Sequence, residues 1–129
     1  MGSAPFTAHV ESGRSVATIA LSGELDLRTA PILEESLVRV EADGVTAIVV
    51  DLVELTFIES TGLRALITAR ERAFASGRQL LLFGAKPNVR RVFEVTGTEF
   101  LLEGEDARLF IRKEYGARSG SVSASHGRV

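Results

Sequence analysis

Two neighbouring hydroxyl side chains, Ser60 and Thr61, are the residues of this 129-residue sequence that most clearly suggest chemistry. They stand in the run FIESTGL (residues 57–63), directly after Glu59 and before a glycine. Hydroxyls in such a place serve three purposes in proteins: capping a helix, attacking a substrate as a nucleophile, or accepting a phosphoryl group. The rest of the sequence must distinguish among them.

Helix capping is the simplest interpretation. Ser60 or Thr61 could accept a hydrogen bond from an early N–H group of a following helix, which contributes about 1 kcal/mol. Gly62 would then merely permit close packing. For an isolated Ser-Thr-Gly before a helix, capping explains the residue types without further assumptions.

Nucleophilic catalysis lacks the residues that it needs. Ser60 is not in a GxSxG elbow, and the chain contains neither a GxxxxGK[ST] loop nor a GxGxxG run. Glu59 could act as a base, but no oxyanion hole or second acid accompanies it. The chain has no cysteine and two histidines, His9 in the first predicted strand and His126 near the C-terminus. We therefore expect no enzyme, no metal site and no cofactor.

Phosphorylation is the third interpretation. A phosphate adds about −1.5 to −2 charges and three acceptor oxygens. At a helix N-terminus it meets unpaired N–H groups and the positive end of the helix dipole. A phosphate on Ser60 would therefore change the surface charge and leave the fold intact, which would release a partner without unfolding the domain.

The composition is that of an ordinary globular domain, with 45% hydrophobic and 25% charged residues. A net charge of −2 gives no reason to expect nucleic acid or an anionic membrane as a partner. No apolar stretch approaches the about 20 residues that span a bilayer, so we expect a cytoplasmic protein without membrane insertion. One domain is predicted over residues 1–115, and the small, polar, aperiodic residues 116–129 are predicted to be a disordered tail.

Alternating strands and helices must position FIESTGL. Periodicity predicts strands over residues 5–11, 15–21, 45–51, 79–83 and 100–102, and helices over about 30–42, 63–74, 88–96 and 105–113, with Thr29 and Asn88 as helix caps. The order β-β-α-β-α-β-α-β-α predicts an α/β fold: a mixed, mostly parallel sheet of about five strands flanked by about four helices, with one antiparallel edge. Sites in such sheets gather where strands end and helices begin, which is where FIESTGL lies.

Three blocks of the sequence together resemble the STAS domain of bacterial anti-sigma factor antagonists, the regulators that act by partner switching in sporulation and stress response. They are LSGELDLRTAP at 21–31, VVDLVELTFIESTGLRAL at 49–66 and VRRVFEVTGTEFLL at 89–102, in the family's order. The likeness runs from about Phe6 to Lys113 and implies the STAS fold. It also implies that the unphosphorylated protein binds an anti-sigma factor with ATP-dependent serine kinase activity, which frees a sigma factor for transcription. Phosphorylation would release it, and a metal-dependent serine phosphatase would reverse the modification.

The family's central motif is an apolar pair followed by Asp-Ser-Ser-Gly-Leu-Gly. Here Phe57-Ile58 match the pair, and Glu59 stands for the Asp. The resemblance therefore assigns phosphorylation to Ser60, with Thr61 as the second choice. It implies a partner-binding set drawn from the first loop and from FIESTGLR: Asp26, Glu59, Ser60, Thr61, Gly62, Leu63 and Arg64.

Three departures from the family's motif affect the site, and one of them is Thr61, which stands for the second serine and remains a possible phosphate acceptor. Glu59 is a methylene longer than Asp, which leaves open whether its carboxylate holds the loop in the same way. Arg64 takes the place of a small residue; it is either an exposed helix arginine or a fork that pairs with Glu59 first and with a Ser60 phosphate later. The alternative function within the family is that of a STAS adaptor subunit of a membrane lipid-transport complex. The intact Ser60 favours the phosphorylation switch.

Overall fold

Four runs rich in aliphatic residues form one mixed sheet in the computed structural model, which describes residues 5–102. The strands are β1 (Thr7–Ser12), β2 (Val16–Leu25), β3 (Ala47–Ile58) and β4 (Gln79–Phe83). They lie in the order β1-β2-β3-β4; β1 is antiparallel to β2, whereas β2, β3 and β4 are parallel. The predicted mixed α/β sheet with an antiparallel edge strand is confirmed.

Three helices follow β2, β3 and β4 in turn: α1 (Ala30–Ala42), α2 (Ser60–Ala75) and α3 (Pro87–Val95). Their buried side chains join one cluster with alternate residues of the central strand, such as Ile48 and Val50. The intervening Ala47 and Val49 belong to a second, smaller cluster, because successive strand side chains point to opposite faces of the sheet. The helices therefore cover the face that carries the main core.

Strands β2 and β3 are longer than the periodicity predicts. They run on together to Leu25 and Ile58, which form a parallel pair, so the first part of the expected loop at 21–31 is strand. Register shifts interrupt this pairing between Ala20 and Ser22 and between Gly23 and Glu24. The extra residues lie in β3, where the buried residues Leu52, Leu55 and Ile58 recur at every third position, so alternation conceals the second half of that strand. In β2 the burial alternates without interruption from Ala17 to Leu25.

The predicted fifth strand at 100–102 is wrong. Glu99–Leu101 form a 3₁₀ turn, closed by the hydrogen bond from the Leu102 N–H to the Glu99 carbonyl at 3.0 Å. Leu102 then makes only an isolated parallel bridge to Leu82. A segment of only three residues fits a strand pattern and a helical turn equally well, and this segment forms the turn.

The remaining expectations concern helix ends. The N-cap residue of α3 is Lys86 and not the predicted Asn88. The helix begins at Pro87, whose missing N–H has no cost in the first turn. The fourth helix predicted at 105–113 and the tail predicted at 116–129 lie outside the described residues.

Within residues 5–102, none of the helices combines the length and apolar character that crossing a membrane requires.

Candidate functional site

The ends of the parallel strands bring the predicted site residues to one edge of the sheet. We call this the carboxyl edge and define it as Gly23–Thr29, Thr56–Arg64 and Lys86–Asn88. The Glu59 N–H donates to the Leu25 carbonyl at 3.1 Å, and the Thr56 hydroxyl donates to the Gly23 carbonyl at 3.0 Å. These two bonds join the loop after β2 to the segment that enters α2.

Asp26 organises the loop before α1. Its Oδ1 accepts hydrogen bonds from the N–H groups of Arg28 at 3.0 Å and Thr29 at 3.1 Å. The Thr29 hydroxyl accepts from the Asp26 N–H at 2.9 Å and donates to the Glu24 carbonyl at 2.8 Å. These bonds fix the approach of the chain to α1.

The surroundings of Asp26 also shift the pKa of its carboxyl group. Its side chain is only 15% exposed, and this desolvation by itself raises its pKa. Hydrogen bonds from the Thr29 backbone and the Arg28 guanidinium act in the opposite direction and prevail, so the pKa of Asp26 lies below its ordinary value. Asp26 is therefore a charged group that shapes the loop.

Glu59 holds the same loop from the other side. Its carboxylate Oε2 accepts a hydrogen bond from the Leu27 N–H at 3.0 Å, across 32 positions of sequence. The extra methylene relative to Asp thus does not prevent contact with the first loop. Glu59 also occupies the N-cap position of α2 with extended backbone dihedrals.

Ser60 and Thr61 form the first turn of α2, and capping does not explain them. Glu59 is the N-cap residue, and no side chain caps the helix. Ser60 is exposed and Thr61 is half-buried. Within residues 5–102, the N–H groups of Ser60, Thr61 and Gly62 have no protein acceptor, whereas the Leu63 N–H donates to the Glu59 carbonyl at 3.0 Å. The start of α2 therefore presents a hydroxyl beside three unpaired donors.

Gly62 and Leu63 lie behind this surface. A Cβ on Gly62 would stand 2.5 Å from Leu25 Cγ, so only glycine lets the helix approach the end of β2 so closely. Leu63 is 4% exposed and belongs to the main core. Both residues are buried and position the start of α2.

Arg64 is exposed one turn beyond Ser60. Among the ion pairs of the described chain, none joins Arg64 to Glu59, whose carboxylate is instead bonded to Leu27. The hypothesis that Arg64 pairs with Glu59 in the unmodified protein is therefore wrong. Its pairing with a phosphate on Ser60 stays a prediction.

Several residues of this edge escaped the sequence-based prediction. Leu27 is 68% exposed and Phe57 is 43% exposed, so apolar side chains flank the hydroxyls. Lys86 donates to the Val53 carbonyl at 2.5 Å, and Asn88 donates to the Thr56 carbonyl at 2.7 Å. The sequence does contain a signal for Leu27, because a large apolar residue stands between two charged residues, Asp26 and Arg28. The Lys86 and Asn88 contacts have no local signal.

The surroundings of the Ser60 hydroxyl include few groups that could act on it. Residues 5–102 contain no group of three or more His, Asp or Glu side chains placed to hold a metal ion. The carboxylate of the preceding residue, Glu59, accepts a hydrogen bond from the Leu27 N–H. The Ser60 hydroxyl is thus exposed at the start of α2, and the neighbouring carboxylate is engaged elsewhere.

Comparison with known proteins agrees with the architecture and extends it. A family model described as STAS domain matches residues 8–111. An anti-sigma-B factor antagonist of Staphylococcus aureus is 32% identical over 84 residues, which cover 65% of this chain and 78% of the relative.

Solved structures show the same likeness. An anti-sigma factor antagonist from Mycobacterium paratuberculosis superposes with a TM-score of 0.72 at 30% identity, covering 84% of this chain and 95% of that one. SpoIIAA shares the fold at 23% identity, with a TM-score of 0.69 for its unphosphorylated form, covering 83% of this chain and 97% of that one. For its phosphorylated form the TM-score is 0.63, with 82% and 100% covered. On the family match, the sequence relatives and the shared fold, this chain belongs to the STAS domain family.

Proposed function

We propose that this chain is a cytoplasmic anti-sigma factor antagonist that acts by partner switching. In the unphosphorylated state it binds an anti-sigma factor that is also an ATP-dependent serine kinase, and so releases the sigma factor. Phosphorylation of Ser60 ends that binding, and a metal-dependent serine phosphatase restores it. The observation that carries the proposal is the exposed Ser60 hydroxyl at the uncapped start of α2.

The electrostatics of that helix start suit a reversible phosphate. The N–H groups of residues 60–62 and the positive end of the α2 dipole would stabilise the added charge. The Glu59 carboxylate would remain on Leu27 and keep the first loop in place. The fold would survive the modification, while the surface facing the partner would gain about −1.5 to −2 charges.

The relatives support the same role. The S. aureus protein and the M. paratuberculosis protein are both named as antagonists of anti-sigma factors. In this role the chain itself catalyses nothing, since ATP and its metal ion belong to the kinase. Asp26 and Glu59 contribute by holding the loop, and the exposed Leu27 and Phe57 supply apolar contact area beside Ser60.

Arg64 has a specific place in this proposal. A guanidinium one turn beyond Ser60 can reach a phosphate there as a charge-assisted, bidentate donor. Arg64→Ala should therefore change the phosphatase rate and partner affinity of the phosphorylated form more than any property of the unphosphorylated form. Equal effects on both forms would show that Arg64 is only a surface residue.

Phosphate mapping tests the modification site. The purified chain is incubated with ATP and each purified anti-sigma serine kinase encoded in its genome, and the modified residue is located by mass spectrometry. We expect one phosphate on Ser60, lost in Ser60→Ala and retained in the neighbouring control Thr61→Val. A phosphate that persists in Ser60→Ala and disappears in Thr61→Val would move the site to Thr61, and no transfer from any kinase would overturn the switch.

A further inference from the structure

Beside the phosphorylation site, a groove of about 750 Å³ runs between α1 and α2. On α1 its lining follows helical spacing from Ala30 to Val38, and on α2 from Thr61 to Thr68. Ala30 and Ala65 form the floor, where their small side chains leave room between the helices. Leu27 and Val38 are exposed apolar residues of the lining, at 68% and 53%.

The groove is already formed in the isolated chain. Arg72 of α2 bridges to two acids of α1, with 3.1 Å to a Glu34 carboxylate oxygen and 2.9 Å to a Glu41 carboxylate oxygen. The side chains of Arg72 and Glu41 are 34% and 18% exposed, so this contact is partly shielded from solvent. The bridge fixes the spacing of the two helices, and an occupant would not have to open them.

We propose that this groove receives an amphipathic helix of the anti-sigma factor, with its apolar stripe on the floor and a basic residue facing Glu35. The inference rests on the proposed function and adds to it the docking element of the partner. It separates two tasks at one surface: the groove supplies affinity and partner choice, and Ser60 at its end supplies the switch.

The dimensions favour a helix as the occupant. The eight steps of α1 from Ala30 to Val38 correspond to about 12 Å of groove, which matches an apolar stripe at positions i, i+3, i+4 and i+7 of a helix. Such a helix brings two turns of side chains to a groove with an apolar floor.

The charges favour a basic flank on that helix. On α1, Glu34 is already paired with Arg72, whereas Glu35 is an exposed acid in the lining of the groove. The exposed cation of the lining, Arg64, lies on the other helix, α2, so the acidic side of the groove is the α1 side. A lysine or arginine beside the apolar stripe of the partner would complement Glu35 and increase the association rate.

The groove is also continuous with the proposed switch. Thr61 and Arg64 line it, and Ser60 directly precedes Thr61. A partner helix seated in the groove therefore ends next to the position of the phosphate. Added negative charge at Ser60 would act on a helix that the groove holds in a fixed place.

Affinity measurements test the groove separately from the switch. Binding of the purified anti-sigma kinase that phosphorylates the full chain is measured by calorimetry for wild type, Val38→Asp and the control Val95→Asp, since Val95 is 69% exposed on α3 and outside the groove. We expect Val38→Asp to weaken binding about tenfold and Val95→Asp to leave it within about twofold. Equal binding by all three proteins would overturn the groove and leave the proposed function standing. Failure of wild type to bind would overturn both.

A fluorescent label identifies the occupant. The chain has no cysteine, so Val38→Cys and the control Val95→Cys each carry one environment-sensitive dye. We expect the dye at position 38 alone to shift to the blue when the anti-sigma kinase is added. A shift already present without partner and independent of concentration would assign the groove to the chain's own residues 103–129. A shift that grows with the chain's own concentration would assign it to a second copy. Either result overturns the proposal.

Discussion

The starts of α1 and α2 lie at the same edge of the sheet, and they differ in how their backbone donors are satisfied. At α1 the Ala30 N–H donates to the Asp26 carbonyl at 2.8 Å, the Ile32 N–H donates to the Thr29 carbonyl at 2.9 Å, and Pro31 between them has no N–H. At α2 the N–H groups of residues 60–62 have no acceptor within the described chain. The first helix start is complete in itself, whereas the second is open to an anion.

The acids of the two loops also differ in the groups that they hold. Asp26 bonds to its own loop and closes the approach to α1. Glu59 is itself the N-cap residue of α2, whereas Asp26 lies three residues before the N-cap Thr29 of α1, and the Glu59 carboxylate crosses to Leu27 of the neighbouring loop. One acid therefore holds its own loop, and the other joins the two loops. A phosphate on Ser60, as proposed, would displace no hydrogen bond of the described chain.

The largest effect on stability should come from closing the space beneath the open start. An alanine in a helix normally stabilises relative to glycine, but a Cβ on Gly62 would stand 2.5 Å from Leu25 Cγ. Gly62→Ala should therefore lower the free energy of unfolding by about 1–3 kcal/mol. Urea denaturation measures the change.

The matched control removes the obstacle. In a Leu25→Ala background the contacts of the added methyl group with Leu25 Cγ and Cδ2 disappear, and only the Leu25 carbonyl oxygen at 3.2 Å remains close, so Gly62→Ala should cost less there than in wild type. Equal costs in the two backgrounds would mean that close approach to Leu25 is not the reason for the glycine.

The next largest effect should come from separating the two loops. Glu59→Ala removes the acceptor of the Leu27 N–H and should lower the free energy of unfolding by about 1 kcal/mol. Amide exchange followed by NMR should show faster exchange at Leu27. Glu59→Gln, which keeps an acceptor oxygen, should restore most of the protection. Unchanged exchange at Leu27 in Glu59→Ala would contradict the bridging role.

The two hydroxyls of the edge offer a direct comparison of the helix starts. Thr29→Ala removes an acceptor for the Asp26 N–H and a donor to the Glu24 carbonyl, and should cost about 1 kcal/mol. Ser60→Ala removes no hydrogen bond within the described chain and should change stability by less than about 0.5 kcal/mol. Thermal denaturation of both variants tests the difference. A larger loss in Ser60→Ala than in Thr29→Ala would restore the capping role.

How much of this edge the sequence reveals depends on the range of the interactions. Periodicity locates the parallel sheet, and the break between β3 and α2 correctly places Ser60 and Thr61 at a helix start. Ser60 would cap that helix only if it occupied the N-cap position. The strand pairing of Leu25 with Ile58 extends β3 to Ile58, so Glu59 occupies that position instead.

Other features of the edge are also beyond local pattern. The bond from Leu27 to Glu59 spans 32 positions, and no sequence motif encodes it. The second half of β3 is concealed by its extra residues, because each one-residue shift exchanges the two faces of the strand. The groove depends on the small side chains of Ala30 and Ala65, which ordinary helix patterns do not single out.

The smallest expected effect concerns pH. The pKa of Asp26 is depressed in the folded state, so its ionised form favours folding above the unfolded-state value of about 3.9. That contribution should disappear as the pH falls through the folded-state pKa. Asp26→Asn should therefore flatten the loss of stability below about pH 4. A denaturation series across acidic pH compares the two proteins, and identical profiles would show that Asp26 is not stabilised by its loop.

The most direct test of the account compares the affinity of the chain with and without a phosphate on Ser60. The purified anti-sigma kinase is titrated with each form, and the melting temperature of each form is recorded. We predict that phosphorylation shifts the melting temperature by no more than about 2 °C and weakens binding at least about a hundredfold. Equal affinity of the two forms, or loss of binding accompanied by loss of the fold, would contradict a switch at the open start of α2.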